Sequence, residues 1–338
     1  MADTLRGKVA IVTGSSQSVG RAIAIGLAAE GAKVVTNSRK AGGTKFLNIS
    51  EGEYNSWSKE RQAEYDAILA KIGGDAADTA RYICDHGGEA VACFADITEF
   101  DSGEKLVKCA LDNFGTVDIL VNVAGAFGNG GVETVSEEQY DSNCDIKPKG
   151  YFNVIRAVVP IMKAKKWGRI VNCTSKAWQG DVVKFTQYVV CNAGVVGLTR
   201  GLAMDLHSYG ITVNAFSPHS KNRGGYEREF LAGATGEAVT REAIPGKAPM
   251  PTFDSQPEPE CNAPFICWLC TERGGKVSGS VFSFSHNEIS LHQEPNPRVI
   301  INKPTKWGPW TQDELVLECR RRLFLNYKSI CEPDTPVG

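Results

Sequence analysis

Short, continuous apolar runs separated by longer amphipathic stretches set the rhythm of this chain. The first, KVAIVTG, is β-branched and lacks the alternation of a one-sided strand, so it predicts a strand buried on both faces. AKVVTN, EAVACFA, VDILVN, GRIVNCTS, ITVNAFSP and KVSGSVFSFS continue the series. Between the first two, Val19 to Glu30 carries Ile23, Leu27 and Ala28 at helical spacing, which closes a βαβ unit. Further helices are predicted from about Glu99 to Phe114, Pro148 to Lys165 and Gln187 to Ser208. Repeated strand-then-helix order implies an α/β fold, a doubly wound parallel sheet covered on both faces.

Three stretches break the rhythm. Residues 40–74 form a polar and aromatic insertion after the second strand, in which Trp57, Arg61, Tyr65, Ile68 and Leu69 share one helix face. Residues 219–264 hold Pro245, Pro249, Pro251, Pro257, Pro259 and Pro264 among many glycines, the composition of a substrate loop. Residues 286–338 form a C-terminal extension with Trp307, Trp310 and a helix from about Gln312 to Leu325, whose Arg320, Arg321 and Arg322 fan into solvent. A single domain over residues 1–285 plus this extension is expected.

Composition narrows the class. Hydrophobic residues make up 42% of the 338 and charged residues 22%, which is globular and excludes a disordered or fibrous chain. The net charge of −2 offers no bulk field to nucleic acid or anionic lipid, so neither is expected as a partner. No run of 18 apolar residues and no signal-peptide pattern occurs, so a soluble cytoplasmic protein is expected. Eleven scattered cysteines then read as reduced thiols. Cys267 and Cys270, with Cys261 nearby, lack a second ligand pair, so they read as buried thiols on a helix and no metal is expected.

Candidate chemistry begins at the turn after the first strand. Gly14, Ser16, Ser18, Val19 and Gly20 stand where backbone N–H groups and a helix N-terminus hold a pyrophosphate. Ser18 occupies the middle position, normally glycine so that the backbone approaches phosphate. The turn is joined by Asp96 after the third strand, Asn122-Val123-Ala124-Gly125 after the fourth, Ser175 after the fifth and Tyr188 thirteen residues on. Together these marks resemble the short-chain dehydrogenase/reductase family over about Leu5 to Ser285, most specifically in NCTS and QYVVCNAGVVGLTRGLAMDL. The insertion, the closing SGSVFSFSHNEISL and the Trp-containing tail look most like bacterial relatives of the (3R)-hydroxyacyl-CoA dehydrogenase part of peroxisomal multifunctional enzymes.

The resemblance implies a Rossmann-like sheet that binds a nicotinamide dinucleotide at its switch point. Asp96 and Ile97 are then expected at the adenine, Asn122, Ala124 and Gly125 on the adenosine side, and Pro218 at the nicotinamide end. An acid at the end of the second strand would bind a ribose 2′-OH, but Ser38 stands there with Arg39 beside it. NADP(H) is therefore favoured, with NAD(H) as the alternative. Family members commonly pack their long helices into dimers or tetramers, so a homo-oligomer is expected, with a hetero-oligomer containing an active relative as the alternative.

At the catalytic positions the pattern changes. In the family a serine holds the substrate oxygen, a tyrosine moves the proton, and a lysine four residues later grips ribose and activates the tyrosine, while an asparagine on the preceding helix completes a relay. Ser175 and Tyr188 match, but Asn192 stands at the lysine position and Lys147 at the asparagine position. A phenol with its ordinary pKa of about 10 is a poor acid–base group at neutral pH without a nearby cation. The expectation is that Lys147 restores that cation from the neighbouring helix. His219 after Pro218 reads as a hydrogen-bonded loop group near the expected nicotinamide, with a substitute acid or base as the alternative. The leading reading is a carbonyl/secondary-alcohol oxidoreductase acting on a fairly apolar small molecule. The alternatives are a lyase, hydratase, isomerase or cyclase on the same fold, or a non-catalytic subunit.

Overall fold

The computed structural model describes residues 4–43, 51–72, 74–125, 128, 130–180, 184–227, 230, 255–285, 288–292, 300–303 and 309–323. Eight strands form one sheet: β1 (Val9–Thr13), β2 (Lys33–Ser38), β3 (Glu89–Phe94), β4 (Ile119–Asn122), β5 (Gly168–Cys173), β6 (Ile211–Ser217), β7 (Val281–Ser285) and β8 (Glu288–Leu291). Their order is β3-β2-β1-β4-β5-β6-β7-β8. The first seven are parallel, and β1 sits at the centre with Ile11 opposite Val35 on one side and Leu120 on the other. All five residues of β1 are buried, as an apolar run covered on both faces requires. The reversal between β1 and β4 creates the switch point, where strand ends splay and leave a crevice.

Helices α1 (Ser18–Ala29), α2 (Glu51–Ser56), α3 (Lys59–Ile72), α4 (Ala76–Asp85), α5 (Ser102–Phe114), α6 (Glu137–Cys144), α7 (Tyr151–Lys165), α8 (Thr186–Leu206), α9 (Ala263–Leu269) and α10 (Gln312–Glu318) accompany the sheet. One core gathers α1 and α9 residues such as Ile23, Leu27 and Ile266 against Val12, Val34 and Phe216. The other gathers Leu106, Val154, Ile155 and Val195 against Ile11, Val35 and Ile170. Cys267 lies buried on α9 and Cys270 is buried just past its end, and desolvation pushes the Cys267 thiol up to about 12.

Several boundaries differ from the sequence reading. The helix expected from Glu99 starts at Ser102, because Asp96 accepts bonds from the Thr98 amide and hydroxyl and holds a turn first. The helix expected from Pro148 starts regularly at Tyr151, after a wide-turn segment Asp145–Gly150. Helix α4 is an additional element, started by Asp75, whose carboxylate accepts from the Ala77 and Asp78 amides. The sheet also runs past residue 285, since β8 folds back antiparallel on β7. Helix α8 is long and apolar enough to cross a membrane by length and composition alone, yet it packs on β6. The tail helix expected to reach Leu325 is α-helical to Glu318 and continues in wider turns to Leu323, while Trp307 and positions 324–325 lie outside the described residues. Of the substrate loop, 228–229 and 231–254 lie outside them too, as do 44–50 and 73 of the insertion.

Candidate active site

The residues singled out above lie at the carboxyl ends of six consecutive strands. Gly14 follows β1, Arg39 follows β2, Asp96 follows β3, Ala124 and Gly125 follow β4, Ser175 follows β5, and Pro218 with His219 follows β6, the last two half-buried. Gly14 has φ +63, and a Cβ there would sit 2.6 Å from the Ala124 backbone, so the turn admits only glycine. A Cβ on Gly20 would sit 2.2 Å from the Gly14 carbonyl, so that position also requires glycine. Ser18 holds φ +48 without being glycine, a strain of about 1 kcal/mol. Its Oγ accepts a bond from the Arg223 amide at 3.2 Å.

Some expected ligand contacts are redirected. Asn122 is fully buried: its Oδ1 accepts from the Thr13 hydroxyl at 3.4 Å and its Nδ2 donates to Asn172 at 3.0 Å. It therefore braces the floor of the crevice rather than offering a side chain to the adenosine. The Ile97 side chain is 4% exposed and packs in the core, so only its backbone is left for an adenine. The Val19 side chain is buried likewise, leaving its amide. Ser38 Oγ donates to the Lys40 carbonyl and accepts from the Ala76 amide, which ties it to the start of α4. Arg39 is exposed, with its Nε 4.0 Å from the Asp96 carboxylate. Ser16 is half-buried in the turn.

Lys147 and Asn192 come together. Pro148 disfavours helical backbone at the residue before it, and Lys147 adopts φ −132, ψ 124 inside an otherwise helical stretch. Its side chain turns inward and is buried. Pro148 packs on Gly194, where a Cβ would lie 3.0 Å from its ring, so the two segments approach closely. Lys147 Nζ then donates to Asn192 Oδ1 at 3.4 Å. Asn192 Nδ2 donates to the Tyr188 carbonyl at 2.8 Å, and the Asn192 carbonyl accepts from the Thr174 hydroxyl at 2.9 Å. Asn192 thus links the ammonium to the turn of α8 that carries Tyr188 and to the residue before Ser175.

The Lys147 amine also lies beside Gly125, where a Cβ would be 3.5 Å from Nζ, and 5.7 Å from the centre of the Tyr151 ring. Among the described residues no carboxylate pairs with it. Its charge favours the thiolates of Cys173 and Cys191, but desolvation dominates and pushes the Cys191 thiol up to about 11. Ser175 caps the short turn Lys176–Gln179 by accepting from the Ala177 amide at 3.3 Å. Tyr188 is half-buried, edge-on to Phe185. Next to it, the Gln187 amide is buried, with no hydrogen-bond partner at either end among the described residues.

Comparison with known proteins agrees with this architecture. The short chain dehydrogenase family model matches residues 60–222. The chain is 30% identical over 280 residues to 3-oxoacyl-[acyl-carrier-protein] reductase of Synechocystis sp., covering 82% of this chain and 96% of that protein. It is 29% identical over 282 residues to peroxisomal hydratase-dehydrogenase-epimerase of Saccharomyces cerevisiae, covering 83% of this chain and 26% of that protein. A short chain dehydrogenase from Mycobacterium avium, known from its crystal structure, superposes with a TM-score of 0.69 at 26% identity, covering 99% of this chain and 98% of that one. The chain belongs to the short-chain dehydrogenase/reductase family, whose members are oxidoreductases using a nicotinamide dinucleotide.

The residues present fit that group. At the start of α1 the N-cap residue Gln17 makes no side-chain cap and the first turn carries no acid, so amide donors and helix dipole face the glycine turn without a competing carboxylate.

Proposed function

We propose that the chain is an NADP(H)-dependent oxidoreductase that interconverts a carbonyl and a secondary alcohol in a fairly apolar substrate, with Lys147 and Asn192 in exchanged roles. One observation carries this reading: an ammonium buried beside the tyrosine's helix, bonded to a neutral amide, with no carboxylate partner among the described residues. Burying an unpaired cation is costly, and a charge so held is at a functional site more often than not.

When bound, the dinucleotide gives or takes hydride at its nicotinamide. The remaining work falls to the chain. Gly14, Ser16, Ser18, Val19 and Gly20 offer the pyrophosphate amides and a hydroxyl. Asp96, the backbone of Ile97, Ala124 and Gly125 border the adenosine, and Pro218 borders the nicotinamide. Arg39 meets a 2′-phosphate: its pairing with Asp96 is long and solvent-exposed, so a doubly charged phosphate displaces it readily. Ser175 donates a hydrogen bond from its hydroxyl to the substrate oxygen and keeps its proton, and Tyr188 moves the one proton between its phenol oxygen and that same oxygen. Lys147 supplies the positive charge that favours the phenolate, and Asn192 holds Lys147 in place. His219 serves no step in this scheme.

The name of the Synechocystis relative makes a 3-oxoacyl thioester the natural first substrate. The apolar outer face of α8, with Met204 82% exposed, supports a homo-oligomer packed along that helix. The ten described cysteines are free thiols, which supports a reducing, cytoplasmic setting.

The test is turnover of acetoacetyl-CoA by the purified chain with NADPH and with NADH, followed at the nicotinamide absorbance band, with calorimetry of both dinucleotides. Oxidation of NADPH in preference to NADH is expected. Binding without any absorbance change across carbonyl substrates would point to non-redox chemistry, and no binding at all to a non-catalytic subunit.

A further inference from the structure

The insertion and the segment after β6 meet in a cluster that the proposed chemistry does not use. Residues 223–227 are helical, and within that turn the Arg223 Nε is 2.8 Å from Glu227 Oε1, both side chains nearly or fully buried. Tyr65 of α3 donates its hydroxyl to the same carboxylate oxygen at 2.9 Å. The Tyr65 ring is fully buried, with Trp57 at 5.6 Å edge-on, Tyr54 at 6.0 Å and Phe230 at 5.5 Å between centroids. Arg61 lies over both Trp57 and Phe230. The other end of the chain of contacts is the phosphate turn, because the Arg223 amide donates to Ser18 Oγ.

We infer that Tyr65 is a positioning residue for the dinucleotide: through Glu227 and Arg223 it fixes the segment after β6 against Ser18, and so sets the geometry of the phosphate turn. This rests on the reading of that turn as a dinucleotide site.

Three features make the relay stiff. Burial and the neighbouring carboxylate push the Tyr65 phenol up, so it is a permanent donor. Glu227 has no exposed surface, and its Oε1 is held by both the Arg223 guanidinium and the Tyr65 hydroxyl. Ser18 keeps a left-handed backbone that glycine would adopt freely, and its hydroxyl is the atom Arg223 holds. Once that oxygen accepts from Arg223, its own proton is left to point to a phosphate oxygen. The insertion in this chain's second crossover thereby acts on cofactor binding without touching the cofactor.

The test uses the full chain with NADPH as probe. Tyr65→Phe removes only the hydroxyl, and is expected to raise the Kd and KM for NADPH about tenfold while kcat falls much less; the buried carboxylate left one donor short lowers the melting temperature without ligand by a few degrees. Ser18→Gly breaks the other end of the relay. Because Ser18→Gly also removes the hydroxyl assigned to a phosphate, it is expected to weaken binding by itself, and Tyr65→Phe is then expected to add almost nothing when placed on Ser18→Gly. Independent effects on Kd would overturn the inference, as would an unchanged Kd in Tyr65→Phe. Hydrogen exchange of the wild-type chain keeps the question decidable if a variant folds poorly: NADPH is expected to protect amides of α3 together with those of the phosphate turn, and no change at α3 would overturn the relay. If wild type does not bind NADPH or NADH, the dinucleotide reading itself falls; if it binds and Tyr65→Phe binds equally, only the relay falls.

Discussion

Asn192 is fully buried and hydrogen-bonded to Lys147, Tyr188, Thr174 and the Cys191 sulfur, so position 192 has no room for a second charge. Replacing it by the lysine usual in the family would set two ammonium groups a few ångströms apart in a low-dielectric pocket. Asn192→Lys alone is therefore expected to lose at least about tenfold in kcat/KM, measured by NADPH oxidation, although it restores the family's residue at that position. Lys147→Ala is expected to lose about a hundredfold or more, the usual scale of acid–base assistance. Removing Ser175 by Ser175→Ala should lower kcat by a similar factor with little change in NADPH affinity, read by calorimetry. Ser175 and Tyr188 stand out in the sequence because each follows a strand or motif at fixed spacing, and the proposed exchange of Lys147 with Asn192 is read from that same spacing. The meeting of Lys147 with Asn192 was legible only as a hypothesis, since it depends on how Pro148 turns the preceding backbone. The burial of Asn122 and Ile97 was not legible, because a loop position does not disclose which way its side chain faces. Arg223, Glu227 and Gln187 gave no local signal at all; only folding brings the first two to Tyr65 and Ser18.

At the scale of elements, the packing of α1 on α9 shows why glycine stands inside a helix. A Cβ at Gly26 would lie 2.8 Å from Ala263 Cβ and 3.3 Å from Cys267 Sγ. Gly26→Ala gains about 1 kcal/mol of helix propensity but overpacks the contact by about 1–3 kcal/mol. A net loss of about 1 kcal/mol is expected in urea unfolding, where a surface helix would gain stability. The seven parallel strands were legible because each is a continuous apolar run. Helix α4 was not, because its apolar face is short: Ala76, Thr79, Ala80 and Ile83 contribute little hydrophobicity, and its start is set by the Asp75 and Asp78 capping pair. Strand β8 escaped for a related reason, since three of its four residues are exposed and a polar edge strand carries no buried pattern. The insertion helix was legible through Arg61, Tyr65, Ile68 and Leu69, although Trp57, expected on the same face, lies in the bend before Lys59; its long-range contact was not legible, because the partner lies some 160 residues away.

For the whole molecule, α8 is shared by the proposed site and the proposed homo-oligomer contact. Its inner side carries Asn192 and Val195, while Val190, Gly197, Gly201 and Met204 lie exposed along one outer stripe. Gly197 and Gly201 have open space around them, which permits close approach of a second copy's helix. Met204→Glu is expected to reduce the assembly to a smaller species in light scattering, and an unchanged mass would place the interface elsewhere. The claim at the centre of the account is that Lys147 supplies the charge that the family draws from position 192. The most direct measurement is the pH dependence of kcat/KM for NADPH-dependent reduction of acetoacetyl-CoA by the wild-type chain, Lys147→Ala and the exchanged pair Lys147→Asn/Asn192→Lys. Wild type and the exchanged pair are expected to share a profile, while Lys147→Ala falls about a hundredfold with its limb displaced to higher pH. A Lys147→Ala profile equal to wild type in height and position would contradict the claim.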